Sequence, residues 1–509
     1  MKRVLTILLA LALTLAMALP AAADSTYTIT INNTAPGHTY QAYQIFAGDL
    51  ETKDGKTLLT NITWGSGVTE AGKAELGDAA AKAESLKTEA HAQAFAKEVA
   101  PHLTSPTEST AGTGVYTISG LPAGYYLVKD KDNTLTDADD FYTAYLMEVV
   151  GNVTAAPKGD KPTLDKQIRH NERDTWEVVG DNQIGDTVEF RTITTVPDTA
   201  GYEKYDYTIH DTMSVGLTSN VKGTGDVTIK VNDAGDALDA SYYTVTASGN
   251  TFSVKIDILK AIRDGKMSKG NKLYTYYTGV LNAEAKVYDE GKQHNTAYLE
   301  YSNNPNVPEN KGKTPDKKVY DWTFKMVVNK VNESNKSITG AKFVLSRKGT
   351  LTVSGLNCND QGVPAVTNDL IGLVAVQGGY RVAVEGDTDI VYVIEAGSAV
   401  IKGLDDAVDY YLYETKAPEG FNLLKEPVQF KITAQYNADG SALADGYPTV
   451  TIGTGEPSTE LSTNVVNKAG AELPSTGGVG TTVFYVVGGL LVAVAVVLLV
   501  TKKKMSVNK

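Results

Sequence analysis

The chain has 509 residues, with 47 Lys and Arg against 60 Asp and Glu, and a formal net charge of −13. This length predicts about three domains, each large enough for its own core. The acidic balance argues against nucleic acid or an anionic membrane surface as the main partner. One cysteine and six histidines exclude an intramolecular disulfide framework and argue against a Cys/His zinc cluster. Abundant Tyr, Thr, Val and Gly are typical of β-sheet.

The first 23 residues have the pattern of a secretory signal peptide. Lys2 and Arg3 precede an apolar run, which ends in a small-residue site at Ala21–Ala23. This order predicts cleavage before Asp24 and export of the chain; the alternative is an uncleaved membrane anchor. An exported chain of this size without disulfides needs large cores or another covalent tie.

The segment 24–158 is predicted to be a β-domain with a helical insertion. It opens on the alternating run Tyr27–Ile31, whose period of two indicates a strand. An Ala-, Glu- and Lys-rich stretch from Glu70 to His102 predicts helices, interrupted near Gly77 and ended by Pro101. Further strands are predicted at Tyr40–Phe46, Val115–Ile118, Tyr125–Val128 and Tyr142–Val150.

Two more strand-rich segments follow, at 159–319 and 320–470. The second segment has strand-like runs separated by Gly, Asn and Asp, and a short helix is predicted at Ile256–Arg263. Ser302–Asp316 is rich in Pro and Asn and is predicted to be an exposed linker. The predicted fold class is mainly β, with three tandem immunoglobulin-like β-sandwich domains.

The C-terminal segment 473–509 combines a pentapeptide, an apolar run from Val483 to Val500 and a basic tail at Lys502–Lys504. The pentapeptide is Leu473, Pro474, Ser475, Thr476, Gly477. The three parts in this order resemble the LPXTG sorting signal of Gram-positive surface proteins. The resemblance implies that a sortase cuts after the threonine, holds it as a thioester and passes it to an amine. It also implies anchoring to the cell wall.

Two strands of the third segment mix a charged residue with apolar neighbours. Alternation places Lys330 on one face with Met326 and Val328, and it places Glu414 on one face with Leu412. If that face is the core, the carboxyl is desolvated and its pKa is raised. The alternative is that Glu414 lies at a strand end and faces water, as most glutamates do.

These strands resemble a collagen-adhesin B-type domain. The resemblance rests on the Lys330 strand, a Gly-Ala-x-Phe turn at Gly340–Phe343, and the box Tyr-x-Leu-x-Glu-Thr-x-Ala-Pro-x-Gly-Phe that contains Glu414. It implies that Lys330 attacks an asparagine side chain to form an isopeptide bond while Glu414 assists as an acid. Asn467 fits the family spacing best, and Asn464 is the alternative. Burial favours the neutral amine, and a protonated acid helps ammonia leave.

The second segment offers a similar set of residue types. Lys166, Asp211 and Asn295 resemble the amine, the acid and the amide of the middle domain of Gram-positive major pilins. For each residue the alternative is a solvated turn position. In the first segment Lys129 stands where the box would have Glu, so no such bond is predicted there.

A lysine at the junction of the first two segments is a candidate acceptor for the sortase-held threonine. Major pilins present this lysine in a Val-Tyr-Pro-Lys motif. Here Val153 and Pro157 precede Lys158 at matching positions, but Ala156 replaces the expected Tyr. Lys158 is therefore the predicted acceptor and Lys161 the alternative, and an ordinary linker lysine is the competing interpretation.

Over nearly its full length the chain resembles a backbone pilin of the three-domain, sortase-assembled type. The resemblance implies a structural, non-enzymatic subunit of a cell-surface pilus that supports adhesion. The implied partners are other copies of the chain, pilus and housekeeping sortases, peptidoglycan, minor tip and base pilins and host surface ligands. No cofactor or metal is implied.

Two other function classes compete with this interpretation. One is a monomeric wall-anchored adhesin that binds a host matrix protein and has no acceptor lysine. The other is a secreted enzyme, which is disfavoured because the sequence has no Gly-x-Ser-x-Gly, metal-ligand histidine spacing or phosphate loop. Cys358 is either a reactive thiol or a turn cysteine without a role.

Overall fold

The computed structural model describes residues 26–34, 36–53, 55–132, 144–156, 161–171, 173–199, 202–304, 309–470 and 479–505. The described residues are mostly strands, which form three successive pairs of sheets followed by a C-terminal helix. This confirms the mainly β fold class. The predicted signal peptide at 1–23, the predicted acceptor Lys158 and the pentapeptide at 473–477 lie outside the described residues, and the domain boundaries remain predictions.

The first pair of sheets contains nine strands. Their order is β5-β6-β1-β9 in one sheet and β3-β2-β7-β8 in the other, where β4 also pairs with β2. One cluster of buried residues lies between the two sheets, and a second lies between the β3-β2-β7-β8 sheet and the helical insertion. The strands are β1 (Tyr27–Asn32), β2 (Tyr40–Lys53), β3 (Lys56–Trp64), β4 (Thr107–Glu108), β5 (Thr110–Gly112), β6 (Val115–Leu121), β7 (Gly124–Asp130), β8 (Ala144–Val149) and β9 (Val153–Ala155).

The helical insertion of this first pair is confirmed. Each of the three helices has a side-chain N-cap. Thr69, Asp78 and Thr88 each accept a hydrogen bond from a backbone N–H in the first turn of the helix that follows. Gly77 has a φ of 82° and ends the first helix, and Pro101 lies in a short 3₁₀ turn that ends the third. The helices are α1 (Glu70–Leu76), α2 (Ala79–Ser85) and α3 (Glu89–Val99).

The middle pair has the sheet orders β11-β10-β13-β19-β15, with β16 on β19, and β12-β22-β20-β14-β18-β17, with β21 on β20. Its predicted helix is confirmed as α4 (Ile258–Arg263), capped by Asp257. The strands are β10 (Leu164–His170), β11 (Thr175–Glu177), β12 (Val179–Asp181), β13 (Thr187–Thr195), β14 (Tyr207–Met213), β15 (Leu217–Ser219), β16 (Thr228–Val231), β17 (Tyr243–Ser248), β18 (Thr251–Ile256), β19 (Lys272–Leu281), β20 (Gln293–Ser302), β21 (Lys311–Lys313) and β22 (Lys317–Trp322).

The segment Ser302–Asp316 is not an exposed linker, and that prediction is wrong for its described residues. Asn304 and Thr314 are buried, and β21 folds back to pair with β20. The next strand, β22, pairs with β20 and in parallel with β12, so the chain is still part of the middle pair beyond residue 319. Pro and Asn content indicated a loop, but it could not show that the loop returns to the same sheet.

The third pair has the sheet orders β27-β25-β26-β29-β23-β33 and β28-β24-β30-β31-β32. Its first and last strands, β23 and β33, are parallel neighbours. The strands are β23 (Phe324–Asn332), β24 (Ala341–Ser346), β25 (Leu373–Val376), β26 (Gly379–Val382), β27 (Ile390–Val391), β28 (Ile394–Ala396), β29 (Ser398–Leu404), β30 (Asp409–Lys416), β31 (Val428–Thr433), β32 (Thr449–Ile452) and β33 (Ser462–Asn467).

The middle and third pairs are packed against each other. Their buried apolar residues form one continuous cluster, and only Thr323 separates β22 from β23. Trp322 donates its indole N–H to the carbonyl of Gly440 at 3.1 Å, and the Tyr436 hydroxyl donates to Asp181 at 2.9 Å. These contacts join the two pairs through a shared buried interface.

The C-terminal helix α5 (Val479–Met505) occupies the predicted apolar segment. Its part Phe484–Lys503 has a mean hydropathy of 2.7 and is long and apolar enough to cross a membrane, by length and composition.

Candidate functional sites

The third pair of sheets brings together the three residues predicted for an isopeptide bond. Lys330 lies on β23 and is fully buried, and its Nζ donates to the carbonyl of Val465 on β33 at 2.7 Å. Glu414 lies on β30 in the facing sheet, and Asn467 lies on β33. Asn467 Nδ2 donates to Glu414 Oε2 at 2.9 Å. Amine, carboxyl and amide thus share one buried space between the two sheets.

Burial shifts the protonation of both ionisable groups in this site. It raises the pKa of Glu414, although hydrogen bonds from Asn467 and from the backbone N–H of Leu424 oppose the rise. It lowers the pKa of Lys330, and the charge of Glu414 opposes that shift. Both shifts favour the neutral forms, a free amine and a protonated acid.

The two candidate asparagines of β33 point to opposite sides of the sheet. Asn467 is fully buried, and its Nδ2 also donates to the carbonyl of Asn422 at 2.6 Å. Asn464 is exposed, and its Oδ1 accepts from Asn329 at 3.3 Å. Period-two alternation explains the difference, because positions three apart on a strand face opposite ways.

The middle pair also assembles its predicted residues. Lys166 on β10 and Asp211 on β14 are both buried, and Lys166 Nζ lies 2.5 Å from Asp211 Oδ2. Burial lowers the pKa of Lys166, and the Asp211 charge opposes that shift. The amine also lies 5.7 Å from the centre of the Phe190 ring.

A tyrosine that the sequence reasoning missed connects this second set. The Tyr277 hydroxyl, on β19, donates to Asp211 Oδ2 and accepts from Lys166 Nζ. Asn295 Nδ2 donates to the same hydroxyl oxygen at 3.4 Å. Burial raises the pKa of Tyr277 well above its usual value. Residues of β19 alternate between buried and partly exposed, and this alternation can be read from the sequence. The sequence has 28 tyrosines, however, and alternation does not show which of them lies beside a lysine and an acid.

The two sites differ in how the sheets share the residues. In the middle pair, Lys166 lies in one sheet, whereas Asp211 and Asn295 lie on neighbouring strands of the other. In the third pair, Lys330 and Asn467 lie on neighbouring strands of one sheet, and the acid comes from the other. A bond would therefore join two sheets in the first case and two strands in the second.

The remaining candidate residues occupy simpler surroundings. Lys161 is partly buried, and Lys129 forms an ion pair with Asp132 at 2.7 Å. Cys358 is a free, partly buried cysteine that packs in a small apolar cluster with Leu356 and Tyr413, and burial raises its thiol pKa. A raised pKa argues against a reactive thiolate.

Three buried carboxylates come close together where the middle and third pairs meet. Asp181, Asp405 and Asp406 each offer an oxygen within 4.8 Å of the others. Asp181 accepts a hydrogen bond from the Tyr436 hydroxyl at 2.9 Å, and Asp405 accepts one from Asn171 at 3.0 Å. Asp406 accepts one from the backbone N–H of Ala434 at 2.8 Å. Oxygen ligands of this kind suit hard cations, but the donors already engage one oxygen of each carboxylate.

Two parts of the chain match known families. Residues 324–442 match the SpaA family of Prealbumin-like fold domains. Residues 465–506 match the LPXTG cell wall anchor motif. The first match covers most of the third pair of sheets, including Lys330 and Glu414, and the second covers the predicted sorting signal.

A fimbrial relative extends the similarity over most of the chain. Fimbrial subunit type 1 of Actinomyces viscosus is 26% identical over 444 residues, which is 79% of this chain and 77% of that protein. Among solved structures, the T6 backbone pilin of Streptococcus pyogenes has a TM-score of 0.49 at 17% identity and covers 89% of this chain and 100% of its own. The major pilin SpaD of Corynebacterium diphtheriae has a TM-score of 0.44 at 17% identity, with 89% and 99% covered.

The SpaA-type domain, the wall anchor motif and the fimbrial relative are consistent with one another and with the buried sites. Together they support a cell-wall-anchored fimbrial subunit.

Proposed function

We propose that this chain is the repeating unit of a covalent pilus, strengthened within each subunit by two Lys–Asn isopeptide bonds. A sortase would cut after Thr476 and join its carbonyl to a lysine of the next copy. Lys158 is the proposed acceptor and Lys161 the alternative. The anchor motif at 465–506 and the helix that follows the pentapeptide support this part of the proposal.

One observation carries the proposal: each of the last two sheet pairs buries a lysine, a carboxyl and an asparagine amide together. Desolvating an amine and a carboxyl is unfavourable, and replacing such a buried pair by apolar residues is often neutral or stabilising. A chemical role for the three groups explains why the sequence places them in a core.

The proposed reaction in the third pair starts from the neutral amine of Lys330. Its Nζ attacks Cγ of Asn467, the Cγ–Nδ2 bond breaks, and one proton moves from Nζ to Nδ2, which leaves as ammonia. Glu414 in its protonated form would polarise the amide and assist the departure. Burial favours the reactive protonation state of both ionisable groups, and holding the three side chains in one core lowers the entropic part of the barrier.

Such bonds would suit a fibre under tension. Lys330 and Asn467 are near the start and the end of the third pair, so a bond between them would carry force past the strands between. The middle and third pairs share one buried cluster, which would resist bending between them. The proposed function is therefore mechanical support for adhesion, with peptidoglycan, sortases, and minor tip and base pilins as partners.

Polymerisation can be tested in a Gram-positive host that expresses the chain with its pilus sortase. We expect a ladder of SDS-resistant species on a blot, and Lys158→Ala should reduce it to monomer. Lys161→Ala is the matched control and should leave the ladder intact. A ladder that survives Lys158→Ala and disappears in Lys161→Ala would move the acceptor to Lys161.

If wild type itself gives only monomer on the blot, the pilus proposal is refuted. The chain would then be a wall-anchored adhesin that acts as single copies.

A further inference from the structure

We propose that the Tyr277 hydroxyl is a catalytic group of the middle site, which passes a proton from the attacking Lys166 amine to the departing Asn295 amide nitrogen. This inference rests on the proposed function, because it concerns how one of the two isopeptide bonds forms.

The hydrogen bonds of the middle site converge on this hydroxyl. It accepts from Lys166 Nζ and from Asn295 Nδ2 and donates to Asp211 Oδ2. Among the described residues, Asn295 Oδ1 and Asp211 Oδ1 have no hydrogen-bond partner. The link from the acid to the amide nitrogen therefore runs through Tyr277.

The third site needs no such link. There Glu414 Oε2 accepts directly from Asn467 Nδ2 at 2.9 Å, and the Lys330 amine donates to backbone carbonyls of β23 and β33. One carboxyl can therefore contact the leaving nitrogen itself. In the middle site the carboxyl contacts the amine, and a second group must reach the amide nitrogen.

The packing holds the hydroxyl in this position. The Tyr277 ring stacks on Phe190 with centroids 5.8 Å apart and meets Phe252 edge-on at 4.9 Å. The residue is 4% exposed, so water does not compete for the hydroxyl. Burial and the Asp211 carboxylate both raise the phenol pKa, which keeps the hydroxyl protonated and able to give a proton.

The step balances without any other reactant. An initial transfer from the ammonium of Lys166 to Asp211 yields a neutral amine and a neutral acid. Nζ then bonds to Cγ of Asn295, and the carbonyl electrons move to Oδ1. Tyr277 takes one proton from Nζ and gives its own proton to Nδ2, so the phenol is unchanged. The Cγ–Nδ2 bond breaks, the carbonyl re-forms and ammonia leaves.

The test uses the full chain made by cell-free synthesis in mild detergent. Samples are quenched in denaturant at successive times and digested, and mass spectrometry measures the branched peptide of each site. Tyr277→Phe keeps the ring and removes the hydroxyl. We expect it to slow the Lys166–Asn295 bond about a hundredfold, the lower range for general acid–base catalysis, with the Lys330–Asn467 bond unchanged in the same molecules.

Tyr207→Phe is the matched control, because Tyr207 is a buried tyrosine of the same core whose hydroxyl donates to the Thr195 carbonyl at 2.8 Å. It should form both bonds at the wild-type rate. Equal rates in Tyr277→Phe and wild type would overturn the role of Tyr277. A wild-type chain without the middle branched peptide would instead refute the crosslink itself.

Protease resistance of the middle segment shows whether Tyr277→Phe folds. If it does not, 3-fluorotyrosine at position 277 replaces it, since this residue keeps the shape and makes the hydroxyl more acidic. We expect a changed rate for the middle bond alone. An unchanged rate would overturn the proposal.

Discussion

Lys330 and Asn467 lie on neighbouring parallel strands, the first and the last of the third pair of sheets. In the register of these strands Lys330 is opposite Val465, which is 135 residues away in sequence, and Asn332 is opposite Asn467. Force applied to the two ends of this unit would load β23 and β33 in opposite directions. A covalent bond between them would carry that load in place of the backbone hydrogen bonds.

Glu414→Gln tests the acid of the third site. The amide keeps the size of the side chain and an oxygen for the Leu424 N–H, but it cannot act as an acid of suitable pKa. We expect the Lys330–Asn467 branched peptide to be lost while the Lys166–Asn295 peptide forms normally. A peptide map of the purified full chain measures both. Normal formation of the third bond in this variant would contradict the role of Glu414.

Asn467→Ala and Asn464→Ala form a matched pair on the same strand. Asn467 is buried against Glu414, whereas Asn464 is exposed. We therefore expect Asn467→Ala, after correction for the substitution, to be heavier than wild type by one ammonia mass. Asn464→Ala should lose as much ammonia as wild type. Intact-mass measurement under denaturing conditions distinguishes the two. The reverse result would assign the bond to Asn464.

Lys330→Met tests what the bond contributes to stability. Methionine fills the buried space without a charge, so the main loss is the crosslink. Closing a loop of more than a hundred residues stabilises a fold by about 5 kcal/mol in the chain-entropy model. We expect a clearly lower thermal midpoint and faster digestion by trypsin than in wild type. Lys336→Met, at an exposed position, is the control, and equal midpoints for both variants would contradict this account.

Asp321 should make the stability of the folded chain depend on pH. Burial raises its pKa to about 7, and Asn182 and His170 oppose the rise. The folded state therefore binds this proton more tightly than the unfolded state. The contribution of this bound proton to the free energy of unfolding is fully present below about pH 4. It is lost as the pH rises from about 4 through about 7, and the total loss is about 4 kcal/mol.

Asp321→Asn removes this dependence, because the amide is neutral throughout and can still accept from Asn182. We expect its thermal midpoint to match wild type at about pH 4 and to exceed it at pH 8. Asp316→Asn, which removes an exposed carboxylate, should follow wild type at both values. If the thermal midpoint falls by the same amount in wild type and in Asp321→Asn between the low pH and pH 8, Asp321 is not protonated in the folded chain.

Alternation indicated the positions of two residues of the third site, and the family resemblance indicated their roles. Alternation placed Lys330 and Glu414 on apolar faces, and both residues are buried. It could not choose between Asn464 and Asn467, because the sequence does not show which face of the last strand is turned inward. Tyr277 was missed for a related reason: its importance depends on contacts between two facing sheets, and strand periodicity carries no information about what lies opposite.

The intact mass of the full chain under denaturing conditions shows whether the two isopeptide bonds form. We predict a mass lower than the sequence value by two ammonia masses. Lys166→Met and Lys330→Met should each restore one of them, after correction for the substitution. A wild-type mass equal to the sequence value would contradict the account and leave both buried lysine sites without their proposed chemistry.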